Sequence, residues 1–238
     1  MSIRLPKGNM SIIEFQKRYD TEDKCRDFFI RLRYPHGFVC PHYGCSAVQL
    51  QRALKVNYDT AYYTLQRLRK AMRIRDDRYM LKGVIELDDT YVGTTTHGKK
   101  RGRGTEKSKV IVAVAKTANN ATTYIKMQVV PNLKAITYGK FAKKRIAEGS
   151  KIESDNSASL KKGLAEKYFV KYETFSPEKG MLRHLHTAIS NMKSFINGTY
   201  HGVTKEHLQE YLDEFDFRYN RRKFGECLFE RLANAVFV

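Results

Sequence analysis

Long apolar runs, cysteines and acidic side chains are all scarce in this sequence of 238 residues. No stretch approaches the ~20 consecutive apolar residues that a membrane-spanning helix needs, and residues 1–7 lack the apolar run of a secretory signal. The four cysteines are interpreted as thiols or metal ligands in a reducing compartment, not as disulfides. The sequence therefore disfavours a membrane protein and a secreted disulfide scaffold, and it predicts a cytoplasmic location.

The shortage of acidic residues leaves a strong positive charge. Lys and Arg total 44 against 25 Asp and Glu, so the formal net charge is +19. Self-repulsion among like charges costs stability. A polyanionic partner is the simplest explanation for so large a positive charge. Nucleic acid is the commonest such partner. The alternative is a generically basic surface, as in ribosome-associated chains, which are usually much shorter.

The region 1–46 is predicted to hold one or two short helices and then a turn with two cysteines. Cys40 and Cys45 stand near a glycine, as in half of a zinc knuckle. Zinc needs four ligands, and His36 and His42 are available to complete such a site. A turn with two free thiols is at least as acceptable an interpretation.

The region 47–80 is predicted to form a helix-turn-helix-like unit. Two helices are separated by a break at residues 57–60, and the second carries one apolar stripe. Its other faces are basic, and contacts to nucleic-acid phosphates are assigned to Arg67, Arg69 and Lys70. Any basic amphipathic helix would show the same pattern, so this signal alone does not establish the function.

The region 81–238 is predicted to form a ribonuclease-H-like domain of mixed α+β class. Strands are expected at 84–92, 110–114, 122–130, 151–155 and 169–172, and helices at 132–148, 157–168, 181–196, 204–221 and 226–236. The order of three strands, helix, strand, helix, strand, helix predicts a mixed sheet with an antiparallel start and helices packed on it.

Asp88, Asp89 and Asp155 are the candidate metal ligands of this domain. A carboxylate inside an apolar strand is costly unless it is hydrogen-bonded or bound to metal, and strand alternation places Asp88 and Asp89 on opposite faces. Asp155 closes a later short strand. Two carboxylates at adjacent strand ends suit Mg²⁺. The alternative is that Asp155 caps the following helix and that Asp89 begins a turn.

The predicted helix at 181–196 carries Asn191 and Lys193 off its apolar stripe. Asn191 offers a carbonyl oxygen to a metal, and Lys193 offers charge to a phosphate. At ~100° per residue the two side chains point about 200° apart, so both cannot face one ion directly. From the residues alone, a solvated helix face is the better interpretation of Lys193.

Several blocks share their residues with a known family: 87–93, the basic glycine loop at 98–104, 153–155, 186–193, 198–203 and most of 207–222. These blocks resemble the catalytic half of bacterial insertion-sequence transposases, in the ISXO2-like branch of the DDE superfamily. The resemblance implies a ribonuclease-H-like domain that cuts and rejoins the ends of a DNA element. Since two ends must be joined, a homo-oligomer on DNA is expected in the nucleoid.

The resemblance also implies residue roles and cofactors. Asp88 is the first catalytic carboxylate, Asp155 the second, Asn191 a third ligand and Lys193 its companion base, in an Asp-Asp-Asn-Lys variant that uses two Mg²⁺ ions. Asp89 stands where the family usually has Glu. Phosphate contacts are assigned to the basic loop, at Lys99, Lys100, Arg101 and Arg103.

The chain departs from the family before residue 50. Members usually carry two cysteine pairs and a further segment, whereas here Cys45 is followed almost at once by Leu50. This shortened region leaves a second hypothesis, a decayed copy that acts only as a DNA-binding protein. A third is a ribonuclease-H-like nuclease that acts on RNA–DNA hybrids.

Overall fold

The computed structural model describes residues 45–93, 107–117, 119–155, 157–164, 168–173 and 181–227. They fall into two compact units: Asp76–Asn220, and the described residues before and after that span. The helices predicted before residue 34, and all but the first two residues of the one predicted at 226–236, lie outside the described residues. The domain boundaries drawn from the sequence stay predictions.

Two helices open the described chain, α1 (Ala47–Leu54) and α2 (Tyr58–Asp77). Ser46 and Gln49 form a reciprocal capping box that starts α1, and Lys55 in the left-handed region ends it. Asn57 Oδ1 accepts a 2.7 Å hydrogen bond from the backbone N–H of Thr60 and so starts α2. The two predicted helices are therefore present, but the break between them covers residues 55–57 and not 57–60, because α2 already begins at Tyr58. A short 3₁₀ helix, Arg222–Cys227, belongs to the same unit.

The second unit is built on one five-stranded mixed sheet, as predicted. Its strands are β1 (Val84–Val92), β2 (Ser108–Lys116), β3 (Thr122–Val130), β4 (Lys151–Asp155) and β5 (Phe169–Glu173). Their order across the sheet is β3-β2-β1-β4-β5. The pairs β1–β2 and β2–β3 are antiparallel, whereas β1–β4 and β4–β5 are parallel. The predicted α+β class, a mixed sheet with an antiparallel start and helices packed on it, is confirmed.

Helices cover both faces of this sheet. Two apolar clusters result: one joins the sheet to α3 (Ala135–Arg145) and α4 (Ala158–Leu164), and the other joins it to α5 (Arg183–Tyr200) and α6 (Leu208–Asn220). On β1, Ile85 and Leu87 belong to the first cluster and Val92 to the second. Strand alternation therefore places Asp88 on the α5 face.

Side chains of α6 occupy the open edge of β3. Backbone N–H groups of Ile125, Met127 and Val129 donate to side-chain oxygens of Asn220, Asp216 and Gln209, each at 2.7 Å. These N–H groups alternate along the strand, so they are the ones that point away from β2. One helix face thus completes the hydrogen bonding of an edge strand. Within the described residues, no helix is long and apolar enough to cross a membrane.

Candidate active site

Asp88 and Asp155 lie side by side where two parallel strands stop pairing. The β1–β4 register runs from Val84↔Lys151 to Leu87↔Ser154, and each aspartate is the next residue on its strand. Neighbouring strands lie about 4.8 Å apart, so the two carboxylates share one edge of the sheet and the same face. The structure brings together two residues that the sequence analysis had paired.

The electrostatics of this pair follow from burial and like charge. The pKa of Asp88 is raised to about 7, and burial is the largest cause. The charges of Asp155 and Asp89 also raise this pKa, whereas a hydrogen bond from the Asp89 backbone N–H lowers it. At this pKa the carboxyl is about half protonated at neutral pH, and a bound cation would favour its ionised form. The pair therefore favours a cation between its oxygens.

Asp155 also serves the local fold. Its Oδ1 accepts a 3.2 Å hydrogen bond from the backbone N–H of Ser157, just before α4. This is the helix-capping alternative that the sequence left open, and it engages one carboxylate oxygen only. The capping contact and a role at the sheet edge are compatible, because a carboxylate has two oxygens with about four lone-pair sites.

Asp89 points to the other face, as strand alternation predicted. Its Oδ1 accepts a 2.6 Å hydrogen bond from Tyr138 Oη of α3. Burial, followed by the hydrogen bond to Asp89, raises the pKa of Tyr138 well above its ordinary value, so the phenol keeps its proton and stays a donor. Asp89 therefore links β1 to α3, on the face of the sheet opposite Asp155.

Helix α5 packs on the face that carries Asp88, and it brings Asn191 and Lys193 to this side of the sheet. Asn191 is exposed, and Lys193 is half-buried. Burial lowers the pKa of Lys193, and the positive charge of Lys107 lowers it further. Lys193 is thus less solvated than its helical position suggested, and it shares its surroundings with a second lysine.

The donor set suits a hard divalent ion. Among the described residues, no group of three His, Cys, Asp or Glu side chains is arranged to hold a metal. The candidate ligands at this point of the sheet are the two carboxylates of Asp88 and Asp155. Mg²⁺ is commonly bound by one or two carboxylates and keeps several waters. The desolvated Asp88 beside Asp155 meets that requirement, and the amide oxygen of Asn191 is of the right chemical type for a third ligand.

The sequence analysis missed a second pair of acids on the same face. Glu86 and Glu153 stand two residues before Asp88 and Asp155, and Lys116 Nζ lies 3.3 Å from Glu86 Oε1 and 2.7 Å from Glu153 Oε2. Burial lowers the pKa of Lys116, but the hydrogen bonds and charges of the two glutamates outweigh it and raise the pKa above its ordinary value. The shared spacing of the two acid pairs was a signal for this cluster.

Glu86, Glu153 and Lys116 border a cavity of about 310 Å³ beside the start of α5. The remaining oxygen, Glu86 Oε2, accepts a 2.8 Å hydrogen bond from the backbone N–H of Leu185 in that helix. Glu86 is 2% exposed, so this contact is shielded from water. Strand β1 and helix α5 are joined by it two residues away from Asp88.

The residues predicted to contact nucleic acid differ in how exposed they are. Arg67 and Lys70 are exposed on α2, as a phosphate contact requires. Arg69 is only 2% exposed. Its assignment to the phosphate-binding surface is therefore corrected, since it occupies the buried stripe of α2 where the sequence placed Leu68. The loop contacts at Lys99, Lys100, Arg101 and Arg103 lie outside the described residues.

The predicted zinc site also lies partly outside the described residues. Cys40 lies outside the described residues, and the Cys45 thiol donates to the carbonyl oxygen of Ser46 at 3.4 Å. Zinc binding by Cys40 and Cys45 stays a prediction.

Comparison with known proteins gives a family match. The model described as ISXO2-like transposase domain matches residues 80–220, and no curated protein sequence matches the chain. Among solved structures, the Mos1 strand transfer complex aligns at 14% identity with a TM-score of 0.33, covering 91% of this chain and 86% of the other. The Mos1 mariner paired end complex with Mn aligns at 14% identity with a TM-score of 0.34, covering 95% and 90%.

Proposed function

Because the chain belongs to the family of the ISXO2-like transposase domain, we propose that it cleaves DNA at the ends of an insertion sequence and transfers the cut strands to a target. The observation that carries this proposal is the placement of Asp88 and Asp155 side by side at the end of the β1–β4 ladder. The raised pKa of Asp88 supports it, since a carboxyl that gives up its proton reluctantly is stabilised by a bound cation.

The two aspartates would hold Mg²⁺, with the amide oxygen of Asn191 as a neutral third ligand and two ions in the complete site. Ions held there would supply Lewis-acid polarisation of the phosphodiester and activation of the attacking water or 3′-hydroxyl. Asp88 and Asp155 keep their carboxylates oriented through contacts made outside the site: the Asp89 N–H to Asp88 Oδ1 at 2.7 Å, and the Ser157 N–H to Asp155 Oδ1.

Lys193 is assigned to a DNA phosphate beside the scissile one. Its partial burial and the nearby charge of Lys107 lower its pKa, and both effects make an anionic partner more favourable. A phosphate that neutralises the two lysines relieves their mutual repulsion. The companion-base role that the resemblance implies for Lys193 is an alternative to this phosphate contact, because a base must be the neutral amine and the lowered pKa favours that form only while no phosphate is bound beside it.

DNA is the proposed partner, bound by the basic loop at 99–103 and by the exposed Arg67 and Lys70 of α2. The net charge of +19 gives the long-range attraction to a duplex. Joining two ends of an element requires two active sites, so a homo-oligomer assembled on DNA is proposed as the active form.

A strand-transfer assay tests the proposal, with a labelled duplex that carries the inverted repeat flanking the gene, a target duplex and Mg²⁺. Asp88→Ala and Asp155→Ala are expected to abolish cleavage and leave DNA affinity within a few-fold, because neither carboxylate is needed to attract phosphates. Asp59→Ala, at an exposed position of α2, is the matched control and keeps full activity.

Cleavage retained by either active-site variant would refute the catalytic assignment. Binding by the unmodified protein with no nicking under any divalent ion would favour a DNA-binding protein without catalysis. Preferential cutting of an RNA–DNA hybrid over duplex DNA would favour the nuclease hypothesis.

A further inference from the structure

Helix α5 begins without a cap of its own. Leu182, the residue before its first turn, has φ 53° and makes no side-chain capping hydrogen bond. A left-handed conformation is unfavourable for a non-glycine residue, so the surrounding structure must specify this start. The first N–H groups of a helix need acceptors from elsewhere when no local side chain supplies them.

Glu86 supplies one of these acceptors from the sheet. Its Oε2 accepts the N–H of Leu185, the third residue of α5, at 2.8 Å across 99 positions of sequence. The third helical residue is a position that a local cap side chain usually serves. A carboxylate at this end of a helix is also favoured by the helix dipole.

The apolar contacts of α5 are less directional than this bond. Leu185, Ala188, Ile189 and Met192 belong to the cluster on the sheet face, and apolar packing of this kind is non-directional. The hydrogen bond from Leu185 to Glu86 joins two defined atoms, and Glu86 is itself held by Lys116 through its other oxygen. The bond therefore joins one defined point of α5 to one defined point of β1.

Asn191 follows Leu185 by six residues, or ~9 Å along the helix axis. On the other element, Asp88 follows Glu86 by two residues on the same face of β1. We infer that Glu86 is a positioning residue, which caps α5 and thereby sets Asn191 at the distance from Asp88 and Asp155 at which the three can share a divalent ion. This inference rests on the proposed function, because it presupposes that these residues bind the ion.

Two substitutions separate the reach of Glu86 from its charge. Glu86→Asp keeps the charge and the attraction to Lys116, but it is one methylene too short to reach the Leu185 N–H. Glu86→Gln loses the charge and keeps an oxygen at the right distance. If Glu86 acts by capping α5, the aspartate variant is the more damaging one; if it only balances Lys116, the glutamine variant is.

The readouts are Mn²⁺ affinity of the full chain by calorimetry and hydrogen exchange of the amides in the first turn of α5. Glu86→Asp is expected to speed that exchange and weaken Mn²⁺ binding by roughly tenfold or more, the usual effect of losing a group that orients a ligand. Glu86→Gln should stay close to the unmodified protein in both. Exchange in α6 reports whether each variant is folded.

Glu153→Gln is the matched control, since it removes the other negative charge beside Lys116 and leaves the bond from the Leu185 N–H to Glu86 in place; its α5 exchange should not change. Unchanged exchange and affinity in Glu86→Asp, or a larger loss in Glu86→Gln, would overturn the inference. Asp88→Asn tests the metal site separately. If Asp88→Asn does not weaken Mn²⁺ binding, the proposed function itself fails; if it does and Glu86→Asp does not, only the positioning role fails.

Discussion

Ser154 Oγ donates a 2.7 Å hydrogen bond to the carbonyl oxygen of Leu87, and this bond joins β1 and β4 one residue before Asp88 and Asp155. Ser154 is 1% exposed and Leu87 is fully buried, so water does not compete for it. The backbone ladder between the two strands ends at this pair of residues. A buried side chain thus holds the strand ends together where the proposed catalytic carboxylates emerge.

The raised pKa of Asp88 makes the metal-free protein less stable at higher pH. Its pKa is about 7 in the folded protein against 3.8 for an ordinary aspartate, so between these values the folded state binds more protons than the unfolded state. The stability contributed by the protonated carboxyl is therefore present below about pH 4 and lost as pH rises to 7, by at most ~4 kcal/mol.

Urea unfolding in the presence of a chelator, from pH 5 to 8, measures this loss against the Asp88→Asn variant, which has no such proton. We expect the free energy of unfolding of the unmodified protein to fall by ~2 kcal/mol more than that of the variant over this pH range. If the unfolding free energies of the two proteins changed equally with pH, the raised pKa of Asp88 would be contradicted. Mg²⁺ in place of the chelator should stabilise the unmodified protein at pH 8 and leave Asp88→Asn unaffected.

Tyr138→Phe removes the donor to Asp89 and leaves a partly buried carboxylate short of one hydrogen bond. We expect a loss of ~1–3 kcal/mol in the free energy of unfolding, measured by urea denaturation. Tyr63→Phe, at a side chain that is 58% exposed, is the control and should be neutral. A Tyr138→Phe protein as stable as the control would show that the hydrogen bond to Asp89 contributes little.

Asn220→Ala opens the edge of β3. Asn220 accepts from the Ile125 N–H and donates to Asp76 Oδ2 and to the Ile125 carbonyl oxygen, so the substitution leaves several buried polar groups without a partner. A loss of ~2–4 kcal/mol is expected, together with faster hydrogen exchange at Ile125. Lys205→Ala, at an exposed position, serves as the control. Unchanged exchange at Ile125 would mean that another group covers this N–H.

Two glycines in helices are predicted to respond to alanine in opposite directions. A Cβ at Gly163 of α4 would lie 2.5 Å from the Ala135 carbonyl oxygen of α3, whereas a Cβ at Gly198 of α5 would meet nothing within 4 Å. Gly163→Ala should destabilise the protein by ~1–3 kcal/mol through overpacking. Gly198→Ala should stabilise it by ~0.5–1 kcal/mol through helix propensity. Thermal unfolding of the two variants decides both, and equal shifts would refute the close approach of α3 and α4.

Local patterns were sufficient to predict the strands and the two faces of β1. Alternation along 84–92 separated Asp88 from Asp89, and the structure has Asp89 bound to Tyr138 on the opposite face. The one marked error in strand length is β2, predicted at 110–114 and observed as Ser108–Lys116. Its terminal lysines resemble loop residues in the sequence, but Lys116 is neutralised by acids from β1 and β4, which no local pattern reveals.

Polar side chains with distant partners were the part that the sequence could not supply. Arg69 has the sequence character of a surface residue and is buried. Asp216 and Asn220 likewise resemble solvated helix positions, and they bind backbone N–H groups of β3 almost a hundred positions away. The resemblance of residues 207–222 to a transposase family marked this block as specific, but only the structure shows that its side chains serve the sheet edge.

The dependence of β3 on α6 bears on how copies of such a gene decay. A frameshift before codon 208 would yield a chain in which the N–H groups of Ile125, Met127 and Val129 are open along an apolar strand, an arrangement that templates strand addition between molecules. Truncated chains of this kind are expected to aggregate through β3, so the last helix of this unit protects the protein from self-association as well as completing its fold.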